Sequence, residues 1–281
     1  MNLKYHRYGK AKVRILKKLN RDGMHAIKEL EVQVLLAGDF ESSYTDSDNR
    51  LVVATDTMKN TVNVLAFEKL EEQTEPFAMA LSQHFLEKYP HVSQVIIETS
   101  ERVWQRLKVS GDPSPTNFLA PEKFTPICEV DATRADTRLV SGVTDLVILK
   151  SAGSAFADFH RDEFTTLPET EDRILATRMT GKWTFEGTQS DYNKVNADIL
   201  NAMLECFATK ESPSIQKTMY DMGVAALDRC PDISQVNLVM PNLHCLLIDL
   251  KPFGRTNPNL LFVPTDAPHG LIEATIERGE R

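Results

Sequence analysis

The sequence predicts an α+β fold of antiparallel sheets, each with helices on one face. Segments with strand-like alternation and segments with helical spacing of apolar residues follow in the order β-β-α-α-β-β, and this order occurs twice. The chain has 281 residues. A single hydrophobic core seldom serves chains longer than ~250 to 300 residues, so this length favours two domains. We place them at residues 1–135 and 136–281, as a tandem repeat inferred from element order and not from residue identity.

A hairpin opens the first half. In residues 12–19 and 29–36, β-branched and aliphatic side chains largely alternate with polar ones. Residues 20–23 (NRDG) supply turn chemistry between the two strands.

Two helices follow the hairpin, after a polar loop at residues 42–50. The first starts near Thr55, with Asp56 as its candidate N-cap. The second is an amphipathic helix at 75–89, with Thr74 as a possible cap and a proline just beyond its end.

Further strands and helices complete the repeat, with an insertion between the strands and helices of the second half. The first half ends with strands at 92–99 and 103–109, before a loop at 110–117 that holds one glycine and two prolines. The second-half elements are strands at 127–134 and 138–149, helices at 194–209 and 215–229, and strands at 236–240 and 243–250. The open sheet edges and faces of such halves favour oligomerisation into a barrel.

Composition excludes several classes of protein. The formal net charge is −8 without a dense block of Lys or Arg, which argues against nucleic acid as a partner. No apolar stretch approaches the ~20 residues of a membrane span, and residues 1–10 lack the apolar core of a signal peptide. The cysteines have no C-x-x-C spacing and are expected to be core thiols: Cys128, Cys206, Cys230 and Cys245.

Conventional catalytic motifs are absent from the sequence. There is no dinucleotide-binding or phosphate-binding glycine motif, no G-x-S-x-G and no paired-histidine metal motif. We therefore expect any redox chemistry to proceed without a bound flavin, nicotinamide or metal.

An ordered set of short motifs is spread over both halves. The set comprises Tyr8-Gly9-Lys10, Ala54-Thr55-Asp56, Lys59-Asn60-Thr61, Phe156, residues 161–167 (RDEFTTL), Asp172-Arg173, Ser214-Ile215-Gln216 and Pro241-Asn242-Leu243-His244. In this order the motifs resemble the uricase family. The resemblance implies two tunnelling-fold (T-fold) domains per chain and a homotetramer with active sites between subunits. It also implies cofactor-free oxidation of urate by molecular oxygen and water to 5-hydroxyisourate and hydrogen peroxide.

The resemblance assigns four residues to substrate binding. Urate is a flat anion with alternating carbonyl and N–H groups, which suit an aromatic floor and planar hydrogen-bonding side chains. Phe156 matches the family's phenylalanine that stacks on the substrate. Arg173 matches the arginine whose guanidinium binds two substrate acceptors, and Gln216 matches the amide ligand. Ile215 offers a backbone N–H at the start of a helix. Taken singly, Phe156 is more typical of a core phenylalanine and Arg173 of a surface ion pair. Gln216 alone also fits a capping or solvent-facing glutamine, and Ile215 a core isoleucine. Phe159 is a second, less favoured candidate for the ring.

The remaining site residues follow from the same resemblance. Lys10, Thr55 and His244 match a proton relay, because a lysine beside a hydroxyl and a histidine can exchange protons near neutrality. Thr55 and Asp56 match a pair that reaches the substrate from a neighbouring subunit, and Asn242 matches an asparagine that helps to hold oxygen or water. Each residue has a structural alternative. Lys10 could be a lysine at a strand edge, and Thr55-Asp56 a helix cap. His244 could be a core histidine, and Asn242 a turn residue.

Two other functions remain open at this point. One is a non-catalytic purine or pterin binder on the same scaffold, and the other is a pterin-acting T-fold enzyme, for which no convincing zinc ligand set is present. The chain ends in Arg278-Gly279-Glu280-Arg281 and not in a peroxisomal tripeptide, so we expect a cytoplasmic enzyme.

Overall fold

A computed structural model describes residues 2–121 and 123–279, so Glu280 and Arg281, used for the localisation expectation, lie outside the described residues. The strands are β1 (Tyr8–Arg21), β2 (Met24–Gly38), β3 (Val92–Arg102), β4 (Gln105–Val109), β5 (Asp112–Leu119), β6 (Thr125–Thr133), β7 (Thr137–Lys150), β8 (Leu175–Phe185), β9 (Ile233–Leu247) and β10 (Phe262–Glu277). The helices are α1 (Glu41–Thr45), α2 (Thr55–Lys69), α3 (Thr74–Lys88), α4 (Tyr192–Thr209) and α5 (Ile215–Arg229), with a 3-10 turn at Lys251–Phe253. The predicted α+β class is confirmed.

The chain divides into two compact units. The first comprises Met1–Gly142 with Thr184–Asn193, and the second comprises Val143–Trp183 with Lys194–Arg281. Strand order is β1-β2-β3-β6 in the first unit and β7-β8-β9-β10 mainly in the second, since β7 begins before Gly142. The β1–β2, β2–β3, β3–β6 and β9–β10 pairs are antiparallel.

The predicted hairpin is present and its turn is tight. Arg21 pairs with Met24, which leaves Asp22 and Gly23 as a two-residue loop with φ angles of 51° and 83°. Positive φ at both loop positions is the requirement of a type I′ turn, whose twist matches that of paired strands. Asn20 supports the turn by accepting a hydrogen bond from the Gly23 N–H at 3.2 Å.

The helices α2 and α3 are present as predicted, but their caps differ. Ala54 is the N-cap of α2 without a side-chain cap bond, and Asp56 instead accepts hydrogen bonds within the helix from Lys59 and Asn60. Gln73 precedes α3, so Thr74 is a helical residue and not the cap. The apolar face of α3 is fully buried at Phe77, Leu81 and Phe85.

Several predicted strand boundaries are wrong. The predicted loop at 110–117 lies mostly in β5, which pairs with β4 in a separate two-stranded sheet. The strand predicted to open the second half is β6, the last strand in the first-unit order. Strands predicted at 236–240 and 243–250 are one strand, β9, while β8 and β10 were not predicted.

All four cysteines are free thiols, and three of them are buried. Burial raises the pKa of Cys128, Cys206 and Cys230. Cys245 is only half-buried, which corrects the expectation of four core thiols. Within the described residues, no helix has both the length and the apolarity that crossing a membrane requires.

The two units share a structural detail that supports the tandem repeat. Arg134, just after β6, donates hydrogen bonds to the carbonyls of Leu86 and Tyr89 at the end of α3, at 2.8 and 3.2 Å. Arg278, just after β10, donates in the same way to Leu227 and to Cys230 around the end of α5.

Each arginine also binds the first residue of the strand that follows that helix. Arg134 donates to the Val92 carbonyl at 2.6 Å, and Arg278 donates to the Ile233 carbonyl at 3.1 Å. The sequences that follow the two helices match as well, with YPHVSQV at residues 89–95 and CPDISQV at residues 230–236. Residue identity, which the sequence reasoning did not use, therefore marks the repeat.

Replacing Arg278 with methionine should destabilise the second unit by about 2 to 4 kcal/mol, because the end of α5 loses its charged donor. One hydrogen bond from a charged group contributes about 1.5 to 3 kcal/mol, and bonds made by the same side chain do not add in full. The melting temperature measured by calorimetry would show the loss. Arg138→Met is the matched control, since its side chain is 48% exposed and its ion pair is long, at 3.9 Å. Equal melting temperatures for the two variants would contradict the prediction.

Candidate functional site

Three short segments of the second unit meet around Phe156. The Phe156 backbone exchanges two hydrogen bonds with Thr170, at 2.8 and 3.0 Å. The Arg173 N–H donates to the Ser154 carbonyl at 2.8 Å, and Ser154 forms a parallel bridge with Ser212. Backbone pairing therefore fixes the positions of Phe156 and Arg173 without help from a long strand.

The Arg173 guanidinium is partly buried and unpaired. Its central carbon lies 5.2 Å from the centre of the Phe156 ring, and burial lowers its pKa. Its Nε is buried without a hydrogen-bond partner, and no carboxylate of residues 2–121 or 123–279 forms an ion pair with it. A structural salt bridge does not account for this cation, whereas a bound anion would satisfy it.

Two buried serines beside Arg173 were missed by the sequence reasoning. Ser154 and Ser212 are each 1% exposed, and neither hydroxyl has a hydrogen-bond partner among the described residues. The sequence signal that could have identified them is their position, since Ser154 lies two residues before Phe156 and Ser212 lies two residues before the Ser214-Ile215-Gln216 motif. Buried hydroxyls normally have partners, so Ser154 and Ser212 are additional candidate residues of the site beside Arg173.

Helix α5 begins at Ile215, as predicted, shortly after Ser212. Ser214 caps the helix by accepting a hydrogen bond from the Lys217 N–H at 3.2 Å. Ile215 is buried and Gln216 is exposed. Gln216 lies four positions after Ser212, a span of at most about 14 Å. Free N–H groups at a helix start favour anions, so the guanidinium and the helix attract the same kind of ligand.

Asn242 and His244 lie in β9 two residues apart, so their side chains share one face of the strand. Asn242 pairs with Gly270 and His244 pairs with Thr265, and the register shifts between these two pairs. Both candidate residues are half-buried. The turn alternative for Asn242 is therefore wrong, because Pro241 and Asn242 continue the strand.

The first unit holds the other candidate residues. Lys10 is half-buried in β1, and Thr55 is the first residue of α2. A hydrogen bond from Lys59 lowers the pKa of Asp56, and the nearby charge of Lys10 adds to the effect. Lys10 and the start of α2 are therefore close enough to interact.

Tyr8 holds the chain segment that leads to Thr55. Its hydroxyl accepts a hydrogen bond from the Val53 N–H at 2.7 Å and donates to the Val53 carbonyl at 3.1 Å. Gly9 permits the close pairing with β2, since a Cβ there would lie 1.7 Å from the Val34 carbonyl oxygen. Tyr8 thus fixes Lys10 and Thr55 relative to each other.

Tyr8→Phe should lower the melting temperature at pH 8, because Val53 loses both hydrogen bonds. Burial raises the pKa of Tyr8 from 10.0 to about 12, so the protonated hydroxyl stabilises the fold below pH 10 and that contribution is lost as pH rises through 12. The deficit of the variant should therefore shrink between pH 10 and 12 in thermal melts. Tyr5→Phe is the control, at a side chain 62% exposed; a deficit that stays constant to pH 12 would contradict this account.

The candidate residues thus form three local groups. Lys10, Thr55 and Asp56 form one group in the first unit. In the second unit, Phe156 and Arg173 lie with the start of α5, and no hydrogen bond among the described residues joins them to the β9 pair of Asn242 and His244. No cluster of three or more His, Cys, Asp or Glu side chains in the described part of the chain could hold a metal ion.

The sequence and the structure are similar to those of known proteins over both units. A family model described as Uricase matches residues 6–131 and 139–273. A uricase of Arthrobacter globiformis is 39% identical over 273 residues, or 97% of this chain and 89% of that protein. A uricase of Oryctolagus cuniculus is 38% identical over 279 residues, or 96% of this chain and 93% of that protein. The crystal structure of the Arthrobacter globiformis uricase matches with a TM-score of 0.95 at 38% identity, covering 100% of this chain and 96% of that one.

Proposed function

Because the chain belongs to the uricase family, it is a T-fold enzyme that oxidises urate with molecular oxygen, and we propose which of its residues carry the reaction. Arg173, Gln216 and the Ile215 N–H bind the edge of the urate anion, and Phe156 stacks on its face. Lys10, Thr55 and His244 exchange the protons. The observation that supports this assignment most directly is the Arg173 guanidinium, which is partly buried, has no ion-pair partner among the described residues and lies 5.2 Å from the centre of the Phe156 ring.

The proposed reaction balances with oxygen and water as the only co-reactants. Deprotonation of bound urate raises its electron density, and oxygen takes two electrons from it. Hydrogen peroxide leaves with two protons, and water adds to the dehydrourate to give 5-hydroxyisourate. The protein orients the reactants and supplies electrostatic stabilisation, while Asn242 guides oxygen and then water above the urate plane.

An oxygen electrode tests this proposal directly. Protein treated with a chelator and then desalted should consume oxygen only when urate is added, and should release one hydrogen peroxide per oxygen consumed. Binding of urate without oxygen consumption would favour the alternative, a non-catalytic purine or pterin binder. Loss of activity on chelation, with recovery on adding a metal, would contradict the cofactor-free mechanism.

We also propose a homotetramer in which Thr55 and Asp56 reach the site of a neighbouring subunit. The end strands β1 and β10 each have one paired neighbour in the described sheet order. Apolar side chains that are about half to four-fifths exposed lie in β9, in β10 and in the segment between them, at Leu246, Leu247, Leu260, Leu261, Val263 and Leu271. Free edges and exposed apolar patches favour assembly. Sedimentation analysis would measure the number of chains.

The cytoplasmic location expected from the sequence remains a proposal. The free state of all four cysteines supports it, because thiols stay reduced in the cytosol. Cell fractionation with an antibody to the chain would test it.

A further inference from the structure

A stack of side chains begins at Phe156 and continues along the loop that follows it, to Phe159 and Arg161. The Phe159 ring lies parallel to the Phe156 ring, with 4.9 Å between centroids and 12° between planes. The Arg161 guanidinium carbon lies 4.9 Å from the centre of the Phe159 ring. The order of contacts is therefore Arg161, Phe159, Phe156.

The loop that carries this stack is fixed by its own hydrogen bonds. Asp162 accepts from the Phe164 N–H at 3.0 Å and from the Thr165 hydroxyl at 2.9 Å. Arg161 donates to the Leu167 carbonyl at 3.4 Å and lies 3.6 Å from a Glu169 oxygen. These bonds hold the guanidinium over the Phe159 ring.

Core packing does not explain the stack. Phe159 is only half-buried, and the Arg161 side chain is 49% exposed. Phe156 is half-buried as well. An offset parallel ring fixes the plane of the Phe156 ring, and a guanidinium over the second ring adds a cation–π contact.

We propose that Phe159 and Arg161 are positioning residues that hold the Phe156 ring in the plane needed to stack on urate. This inference rests on the proposed role of Phe156 as the floor of the site. Phe159 lies nearly parallel to the Phe156 ring, with 12° between the planes, so it holds the plane of that ring beside the Arg173 guanidinium. Neither residue touches the substrate, so their effect on the reaction passes through Phe156.

The first test compares the KM for urate of the variants Phe159→Leu and Phe159→Tyr with that of the wild type. Leucine removes the flat partner, and we expect KM to rise about 3- to 10-fold with kcat within about 2-fold of wild type. Tyrosine keeps the flat ring and should restore a KM near that of wild type. Arg161→Met should raise KM by a smaller factor. Phe164→Leu is the matched control in the same loop, since Phe164 is 82% exposed, and its KM should not change.

A double-mutant cycle separates this inference from the function on which it rests. If Phe159 acts through Phe156, adding Phe159→Leu to Phe156→Leu should raise KM no further. A raised KM in Phe156→Leu with an unchanged KM in Phe159→Leu would overturn the positioning role alone. Additive effects would overturn it too, because Phe159 would then act on urate independently. An unchanged KM in Phe156→Leu would overturn both proposals.

Discussion

Replacing Arg173 with methionine should raise the KM for urate by roughly 30- to 1,000-fold, equivalent to about 2 to 4 kcal/mol. The variant loses two charge-assisted hydrogen bonds and the only positive charge proposed to neutralise the anion, while the methionine chain keeps apolar contact with Phe156. Arg173→Lys should recover only part of the affinity, because an ammonium group cannot reproduce the planar fork. Steady-state kinetics and urate titration under nitrogen would measure the effect.

Thermal stability separates a binding role of Arg173 from a structural one. Burial lowers the pKa of Arg173 without an opposing carboxylate, so its charge does not stabilise the fold. The methionine variant should therefore melt at or above the wild-type temperature. Arg178→Met is the matched control, since Arg178 is exposed five residues further along the chain. Wild-type KM for the Arg173 variant, or a large fall in its melting temperature, would contradict the assignment.

Lys10→Met should lower kcat by about 10²- to 10⁴-fold and leave urate affinity nearly unchanged. The range is that expected for the loss of a general acid–base group, and the binding groups around Arg173 remain intact. Stopped-flow measurement of urate consumption, with binding measured under nitrogen, would distinguish the two effects. Lys12→Met is the control at an exposed lysine on the same strand. Normal turnover in the Lys10 variant would remove lysine from the relay.

Coexpression of the Lys10 and Arg173 variants tests the subunit arrangement. If one chain supplies Lys10 and another supplies Arg173, mixed assemblies contain some sites with neither substitution and regain activity. A mixture as inactive as the separate variants would mean that each site draws both residues from one chain.

The parts of the fold that could be predicted are those in which pattern and packing agree. In α3, apolar residues at helical spacing became the fully buried face of Phe77, Leu81 and Phe85. In β10 the local signals were misleading, because Pro264, Pro268 and Gly270 interrupt the strand pattern. The register shift between Thr265 and Gly270 absorbs that interruption, and it depends on pairing with β9, which is not visible in local sequence.

The candidate site shows a similar division. Arg173, Phe156 and Gln216 were identified because they belong to an ordered set of motifs. The buried, unpartnered hydroxyls of Ser154 and Ser212 could not be identified in that way, since burial and hydrogen-bond partners are properties of the folded chain. Asp56 was misassigned as a cap because its short-range partners, Lys59 and Asn60, compete for the same carboxylate.

The duplicated arrangement around Arg134 and Arg278 has a consequence for stoichiometry. The helices α3 and α5 are each 15 residues long, and Glu75 occupies the second position of α3 as Gln216 does in α5. Glu75 is 3% exposed and accepts a hydrogen bond from the buried Ser141 hydroxyl at 2.7 Å, whereas Gln216 faces solvent. In the first unit, the start of α3 is therefore buried and has no exposed side chain at the position of Gln216. The proposed assignment gives one urate per chain, although both units share the same helix and strand arrangement.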